Sequence, residues 1–401
     1  MTTTPLNISN SHARRFLLAH QGLVPNSTSR ETSGVLALIA RLGCIQFDPI
    51  NIVGRNPDLV LQARISNYRP EMLADLLYSS HTLVEGFDKV GSIFQAADWP
   101  YFERRRTRVR DLHLQGVSAP VKHAWQIVEL MRSSGWDSSH LPGNRESVMW
   151  DWGKPVRLDR AALDLLNNAG IVTVVSRTGN RKTYDLVERV LPEKTLLAPD
   201  PNSSLEDYHR WHLLRRIGGL GLAQLGSGEF WGGILGMKTP ERRKTVEHLV
   251  QTGELLNVQV EGIEKMPFHI RASDEDTLLK SKSLSRAHSR MTFLPPLDNL
   301  LWDRKLIDAV FGFEYLWEIY KKPHQRSYAA YTLPVLYGDR FIARCELSFD
   351  RSMKVLSVPA WWWEKDVTPD NLMRKAAQDA LEDFSGYLGA VEIKMTVPGK
   401  I

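Results

Sequence analysis

Cysteine is nearly absent from this chain. There are two in 401 residues, Cys44 and Cys345, 301 positions apart. Neither belongs to a Cys/His spacing that holds zinc, and two such distant cysteines read as free thiols of a reducing compartment rather than a disulfide framework. No metal or other cofactor is expected. Long apolar runs are missing too. Nothing approaches the roughly 18 consecutive apolar residues of a membrane span. No apolar stretch follows Met1-Thr2-Thr3-Thr4-Pro5, so a cytoplasmic protein is expected. A strong charge of one sign is also lacking: 51 Lys and Arg stand against 46 Asp and Glu. That balance permits a nucleic-acid partner without establishing one. What is present, 43% hydrophobic and 24% charged residues, suits a globular chain long enough for several domains, two to four of them.

Hydrophobic periodicity predicts helices over 10–24, 33–42 and about 69–79, the last followed by Thr82-Leu83-Val84 as a strand. Further on, helices over 120–133 and about 157–169 lead into Ile171 through Leu186. That segment is two β-rich runs around Thr178-Gly179-Asn180, a hairpin signal. Helices followed by a two-stranded wing is the order of a winged helix-turn-helix. Leu166, Gly170 and Gly179 recur 83 positions later as Leu249, Gly253 and Gly262. In the first segment Ala74, Leu77 and Leu83 keep the spacing of Leu163, Leu166 and Val172, without the glycines. The expected fold is therefore α+β, with tandem winged helix-turn-helix units over 1–115, 116–200 and 201–280. Residues 273–290 are polar, as a linker would be. A C-terminal β-rich, barrel-like domain is expected over 281–401, ending in a helix over about 369–387 and a strand around Val391–Met395.

Gln46-Phe47-Asp48 stands out chemically. In an extended segment alternate side chains share a face, so Gln46 and Asp48 point one way while Phe47 packs. Pro49 ends the segment. The result is a short shelf with one amide and one possible base. The competing reading is a turn in which Asp48 merely caps the next stretch of chain. Arg55 and Arg64 flank the shelf, where they could hold a phosphate or pair with Asp48 or Asp58. Arg177, Asn180, Arg181 and Lys182 decorate the hairpin tip, placed for phosphate contact or for a solvated face. Arg104, Arg105, Arg106, Arg108 and Arg110 form a second basic cluster, with Glu103 and Asp111 as possible ion-pair partners. Trp361-Trp362-Trp363 reads as core or interface rather than a base-stacking platform.

The run from Ile45 through Asp58 to Arg64 resembles the signature of the YcaQ/AlkZ family of winged-helix DNA glycosylases. A second match starts at Pro295-Pro296-Leu297-Asp298-Asn299-Leu300-Leu301-Trp302-Asp303-Arg304. It continues through Phe311-Gly312-Phe313-Glu314-Tyr315 and Glu318-Ile319-Tyr320 to Leu333-Pro334-Val335-Leu336. The resemblance implies tandem winged helices in a C shape with a C-terminal β-barrel-like domain, and excision of bulky N7-alkylated purines from double-stranded DNA, including unhooking of interstrand crosslinks. A monomer is expected. The family's catalytic pattern is Gln-apolar-Gln in the AlkZ branch and Gln-apolar-Asp in the YcaQ (AlkX) branch, and Gln46-Phe47-Asp48 looks like the second. Many members carry a Trp-Ala-His-like stretch where this chain has Glu85-Gly86-Phe87-Asp88-Lys89. Lys89 is therefore a possible site neighbour, and one alternative mechanism uses it as a Schiff-base nucleophile. Another alternative is a winged-helix transcriptional regulator without catalytic activity, its shelf purely structural.

Overall fold

The computed structural model describes residues 4–24, 32–150, 153–284 and 290–396. By compactness the chain divides into two units, Met1–Met72 with His209–Ile401, and Leu73–Tyr208. The segment boundaries expected at 115, 200 and 280 follow sequence pattern; the division by compactness follows shared cores.

In the first unit, Asn10–His20 forms a helix capped by Ser9, whose hydroxyl accepts from the His12 amide. It packs on helices Glu275–Ser281 and Arg304–Phe311. Phe16, Leu17, Leu278, Leu306 and Phe313 share one apolar cluster with strand residues Val258 and Phe268. Two features carry no signal in the sequence. Leu6–Ile8 is a strand pairing in parallel with Leu255–Val260. Glu275–Ser281 is a helix with Leu278 buried, so 273–281 is not the linker its polarity suggested; 285–289 lie outside the described residues. Polar residues there cover the solvent side of a helix that contributes little more than Leu278 inward.

The same unit holds a five-stranded sheet of Met291–Phe293, Thr332–Tyr337, Arg340–Asp350, Val355–Trp363 and Glu392–Met395, in that spatial order. Its first and last strands do not pair, so it is a curled half-barrel rather than a closed barrel. The last strand is parallel to its neighbour, reached through helix Asn371–Leu388, the crossover that a parallel pair requires. Phe384 of that helix meets Phe293 edge-on at 5.5 Å. Trp361 packs edge-on against Phe293 at 6.2 Å and lies 5.5 Å from Trp363, so these two belong to core packing, while Trp362 meets Tyr328 edge-on at 5.3 Å.

The second unit contains helices Ala119–Ser134 and Leu158–Asn168 around one apolar core, followed by the hairpin Val172–Thr178 and Arg181–Leu186. A second hairpin joins Leu83–Phe87 to Gly91–Gln95. The pair Ser147–Met149 and Pro155–Arg157 has no clear signal in sequence.

The 83-residue repeat has a physical cause. Gly170 and Gly253 have φ of +71° and +75° and follow helices Leu158–Asn168 and Thr239–Gln251. The amides of Ile171 and Glu254 reach back to the carbonyls of Leu166 and Leu249, both at 2.9 Å. That is a left-handed cap, which favours glycine. The equivalent of Gly170 in the first segment is His81, with φ of +50°. Its Nδ1 lies 2.9 Å from the Leu77 carbonyl. A left-handed residue thus stands at the same place without glycine, its side chain rather than a backbone amide meeting the carbonyl, which is why the third copy is faint in the sequence.

Candidate active site

Helix Thr32–Leu42 ends at Gly43, and the chain runs through a two-residue strand, Ile45–Gln46, into an irregular segment. Ile45 and Cys44 are buried, while Gln46, Phe47 and Asp48 are half-buried. Oδ1 of Asp48 accepts from the Ile50 amide at 2.9 Å. No other hydrogen bond to this carboxylate forms among the described residues. The capping turn thus engages one oxygen of a half-buried carboxylate. Burial raises the pKa of Asp48 above the usual carboxylate range, and the Ile50 amide pulls it back. Burial, with the negative charge of Asp48 adding to it, pushes up the phenol of Tyr331, the residue just before strand Thr332–Tyr337.

Three side chains hold the shelf from below. Arg215 donates to the Gly43 carbonyl, Asn299 Nδ2 to Cys44 O at 2.9 Å, and Asn56 Nδ2 to Gln46 O at 2.7 Å. Gly54 lets the chain turn into helix Asn56–Gln62. Its φ is +146°, and a Cβ there would stand 2.8 Å from a Leu59 methyl.

Arg64 lies elsewhere than the sequence suggested. Its side chain is fully buried and bidentate to Asp298, with both N–O distances 2.7 Å, and its Nε donates to Gln21 O at 2.7 Å. It is therefore a core residue and not part of a DNA-contact surface, because every route from the guanidinium to solvent is closed. Arg55 precedes helix Asn56–Gln62, and its charge lowers the pKa of Asp58 against the burial that raises it.

Asp58 accepts from the Tyr68 hydroxyl at 2.7 Å and is pushed up by burial to about 6. A carboxyl whose folded pKa lies above its unfolded value stabilises the fold below pH ~4 and loses that contribution as pH rises through about 6. Asp58→Asn keeps an acceptor for Tyr68 and removes the buried charge. It is expected to raise stability at pH 8 by up to about 3 kcal/mol and to change it little at pH 4. Denaturant midpoints at the two pH values check this; an equal effect at both would refute it.

A family model described as DNA glycosylase AlkZ-like matches residues 39–387. The chain belongs to the AlkZ-like DNA glycosylase family. Among solved structures, the DNA glycosylase AlkZ of Streptomyces sahachiroi aligns over 98% of this chain and 100% of its own, with a TM-score of 0.61 and 13% identity. That likeness bears on the fold: a mixed α+β architecture with a curled half-barrel sheet near the C-terminus.

In the second unit of this glycosylase, the hairpin residues divide sharply. Asn180 and Arg181 are exposed at the turn, and Arg181 forms no ion pair among the described residues. Arg177 points inward instead. Its side chain is 3% exposed and bidentate to Glu85, which also accepts from the Tyr78 hydroxyl at 2.7 Å. Arg177 thus clamps the two hairpins together and is not available to a phosphate in this state, correcting the sequence expectation. Lys182 is half-buried with Nζ 5.7 Å from the Tyr184 ring centre, and burial lowers its pKa. Lys89 is buried in the connection between Leu83–Phe87 and Gly91–Gln95. The arginines at 104–110 are largely engaged: Glu103 pairs with Arg106 and Arg110, Arg104 lies 3.6 Å from Asp200, and Arg105 stacks on Phe87. Asp111 is not among their partners. Among the described residues no three His, Cys, Asp or Glu side chains gather as a metal site, and no helix is long and apolar enough to cross a membrane.

Proposed function

We propose that this family member hydrolyses the N-glycosidic bond of N7-alkylated purines in double-stranded DNA, crosslinked bases included, as a metal-free monofunctional glycosylase. The observation that carries the reading is the state of Asp48: half-buried, tethered through one oxygen, the other without a bond among the described residues, on a shelf that also bears Gln46. An N7-alkylated guanine is cationic and leaves as a neutral base, so no general acid is needed. What remains is to stabilise an oxocarbenium-like sugar and to place water. An ionised carboxylate does the first electrostatically and the second as base, with the Gln46 amide holding the same water. The half-buried setting strengthens the carboxylate's effect on a developing positive charge.

We read the Gln-apolar-Asp pattern as that of the branch with an ionisable base. We read the repeated helix–cap–hairpin segments as winged helices that bind duplex DNA. Asn180 and Arg181 are the residues exposed at a wing tip for phosphate contact, with Arg55 beside the shelf. An open shelf suits a crosslinked base, which cannot be flipped into a closed pocket in the usual way.

The test is incubation with duplexes carrying N7-methylguanine or a nitrogen-mustard interstrand crosslink, followed by alkaline cleavage. Strand breaks are expected at the lesion only after enzyme treatment, and borohydride should trap no covalent adduct. A trapped adduct would favour lysine chemistry; absence of cleavage on both substrates would overturn the reading.

A further inference from the structure

We propose that Asn56 and Asn299 are positioning residues: their side-chain amides grip one edge of the shelf strand and so fix where Gln46 and Asp48 stand. The inference rests on the proposed role of Asp48. Carbonyls two residues apart in an extended segment point to the same edge. Those of Cys44 and Gln46 are bound in this way, by Asn299 Nδ2 at 2.9 Å and Asn56 Nδ2 at 2.7 Å. The two asparagines take the place of a neighbouring strand along that edge.

Both side chains are buried, and in both the Oδ1 atom is buried without a hydrogen-bond partner among the described residues. An amide left half-satisfied is a costly way to fill space. Neither amide can be turned round, because that would set oxygen against the carbonyl oxygen it now serves. The donor is thus the reason for the residue.

Asn299 is itself tightly mounted. Asp298 binds Arg64 through both oxygens and accepts from the Leu300 amide at 2.9 Å. On the other side, Leu300 and Leu301 enter the apolar core. The Trp302 indole donates to Leu297 O at 3.1 Å, and Asp303 caps helix Arg304–Phe311. The motif Pro295–Arg304 offers no chemistry of its own in the sequence. In the fold it is a rigid bracket ending in one amide aimed at the residue two before Gln46.

The experiment compares Asn56→Ala, Asn56→Asp and Asn299→Ala with wild type, using single-turnover base release from an N7-methylguanine duplex. Affinity for undamaged duplex, thermal midpoint and the pH–rate profile are measured alongside. The expected result is a 10- to 100-fold slower release, on the order of what a displacement near 1 Å costs, with DNA affinity unchanged. The acid limb should also move to lower pH, because a loosened shelf opens Asp48 to water. A purely structural role would leave that limb in place. Asn56→Asp keeps the shape and loses the donor; it decides the matter should Asn299→Ala fail to fold. Folded variants releasing base at the wild-type rate, or losing activity only in step with the folded fraction, would overturn the proposal. If wild type is active and Asp48→Asn is not, that failure belongs to the positioning role alone. If Asp48→Asn retains the wild-type rate, the role of Asp48 falls and this inference with it.

Discussion

Asp48→Asn is expected to bind damaged duplex at least as tightly as wild type and to release base on the order of 10²–10⁴-fold more slowly, the usual contribution of a positioned acid–base group. The substitution is nearly isosteric. Its Oδ1 can still accept from the Ile50 amide, which wild type holds at 2.9 Å, so the turn and the shelf keep their shape. What is lost is the charge. A neutral amide neither stabilises a cationic sugar nor takes a proton from water. Removing a negative charge near a polyanion cannot weaken binding through phosphate repulsion. Loss of rate with retained affinity therefore separates chemistry from recognition. The pH profile gives an independent check. Burial raises the pKa of Asp48, and the active form is the carboxylate, so the wild-type rate should fall as pH drops through a value above the ordinary Asp range. Residual activity in Asp48→Asn should lack that acid limb. An unchanged rate of N7-methylguanine release in this variant would remove Asp48 from the mechanism.

The fold is partly legible in the sequence, for identifiable reasons. Helices with a continuous apolar face, such as Ala119–Ser134 and Leu158–Asn168, are visible because their burial is one-sided. The hairpin at Gly179 is visible because its turn demands a positive φ. Gln46-Phe47-Asp48 stands out in the sequence because its polar residues alternate before a proline, but the strand itself covers only Ile45–Gln46, and Phe47 is half-buried like its neighbours. Partnership across the fold is not legible. Arg64 and Arg177 look like surface cations in one dimension, but the carboxylates that absorb them are 234 and 92 residues away. Nothing local distinguishes an arginine waiting for phosphate from one already satisfied by a distant Asp or Glu. The same limit hides Asn56 and Asn299, whose targets are backbone carbonyls without any sequence signature. The strand Leu6–Ile8 is invisible because three residues are too few to show a period, and its parallel partner begins about 250 positions later.

Breaking the Arg64–Asp298 pair should cost more stability than any surface change in the molecule. Both side chains are fully buried and joined by two bonds of 2.7 Å, and Arg64 also donates to Val60 O at 3.0 Å and Gln21 O at 2.7 Å. Removing one partner strands the other charge in an apolar setting, a loss of about 3–5 kcal/mol. Arg64→Ala is expected to fall in that range, and Asp298→Asn near its lower end because Asn retains an acceptor for the Leu300 amide. A joint Arg64→Met, Asp298→Asn replacement should recover part of the loss, since it removes both charges together. Because the chain has two compact units, the denaturant midpoint should be followed by a probe confined to each, and only the unit containing residue 64 should shift. DNA affinity at a temperature where the variant stays folded should not change, nor should its salt dependence. The opposite pattern, an unmoved midpoint with weaker and less salt-sensitive DNA binding, would put Arg64 back at the phosphate surface. The bracket that carries Asn299 shares this ion pair. Near its own melting range Arg64→Ala should therefore lose base release before it loses its fold, because the shelf loosens as soon as Asp298 is no longer held.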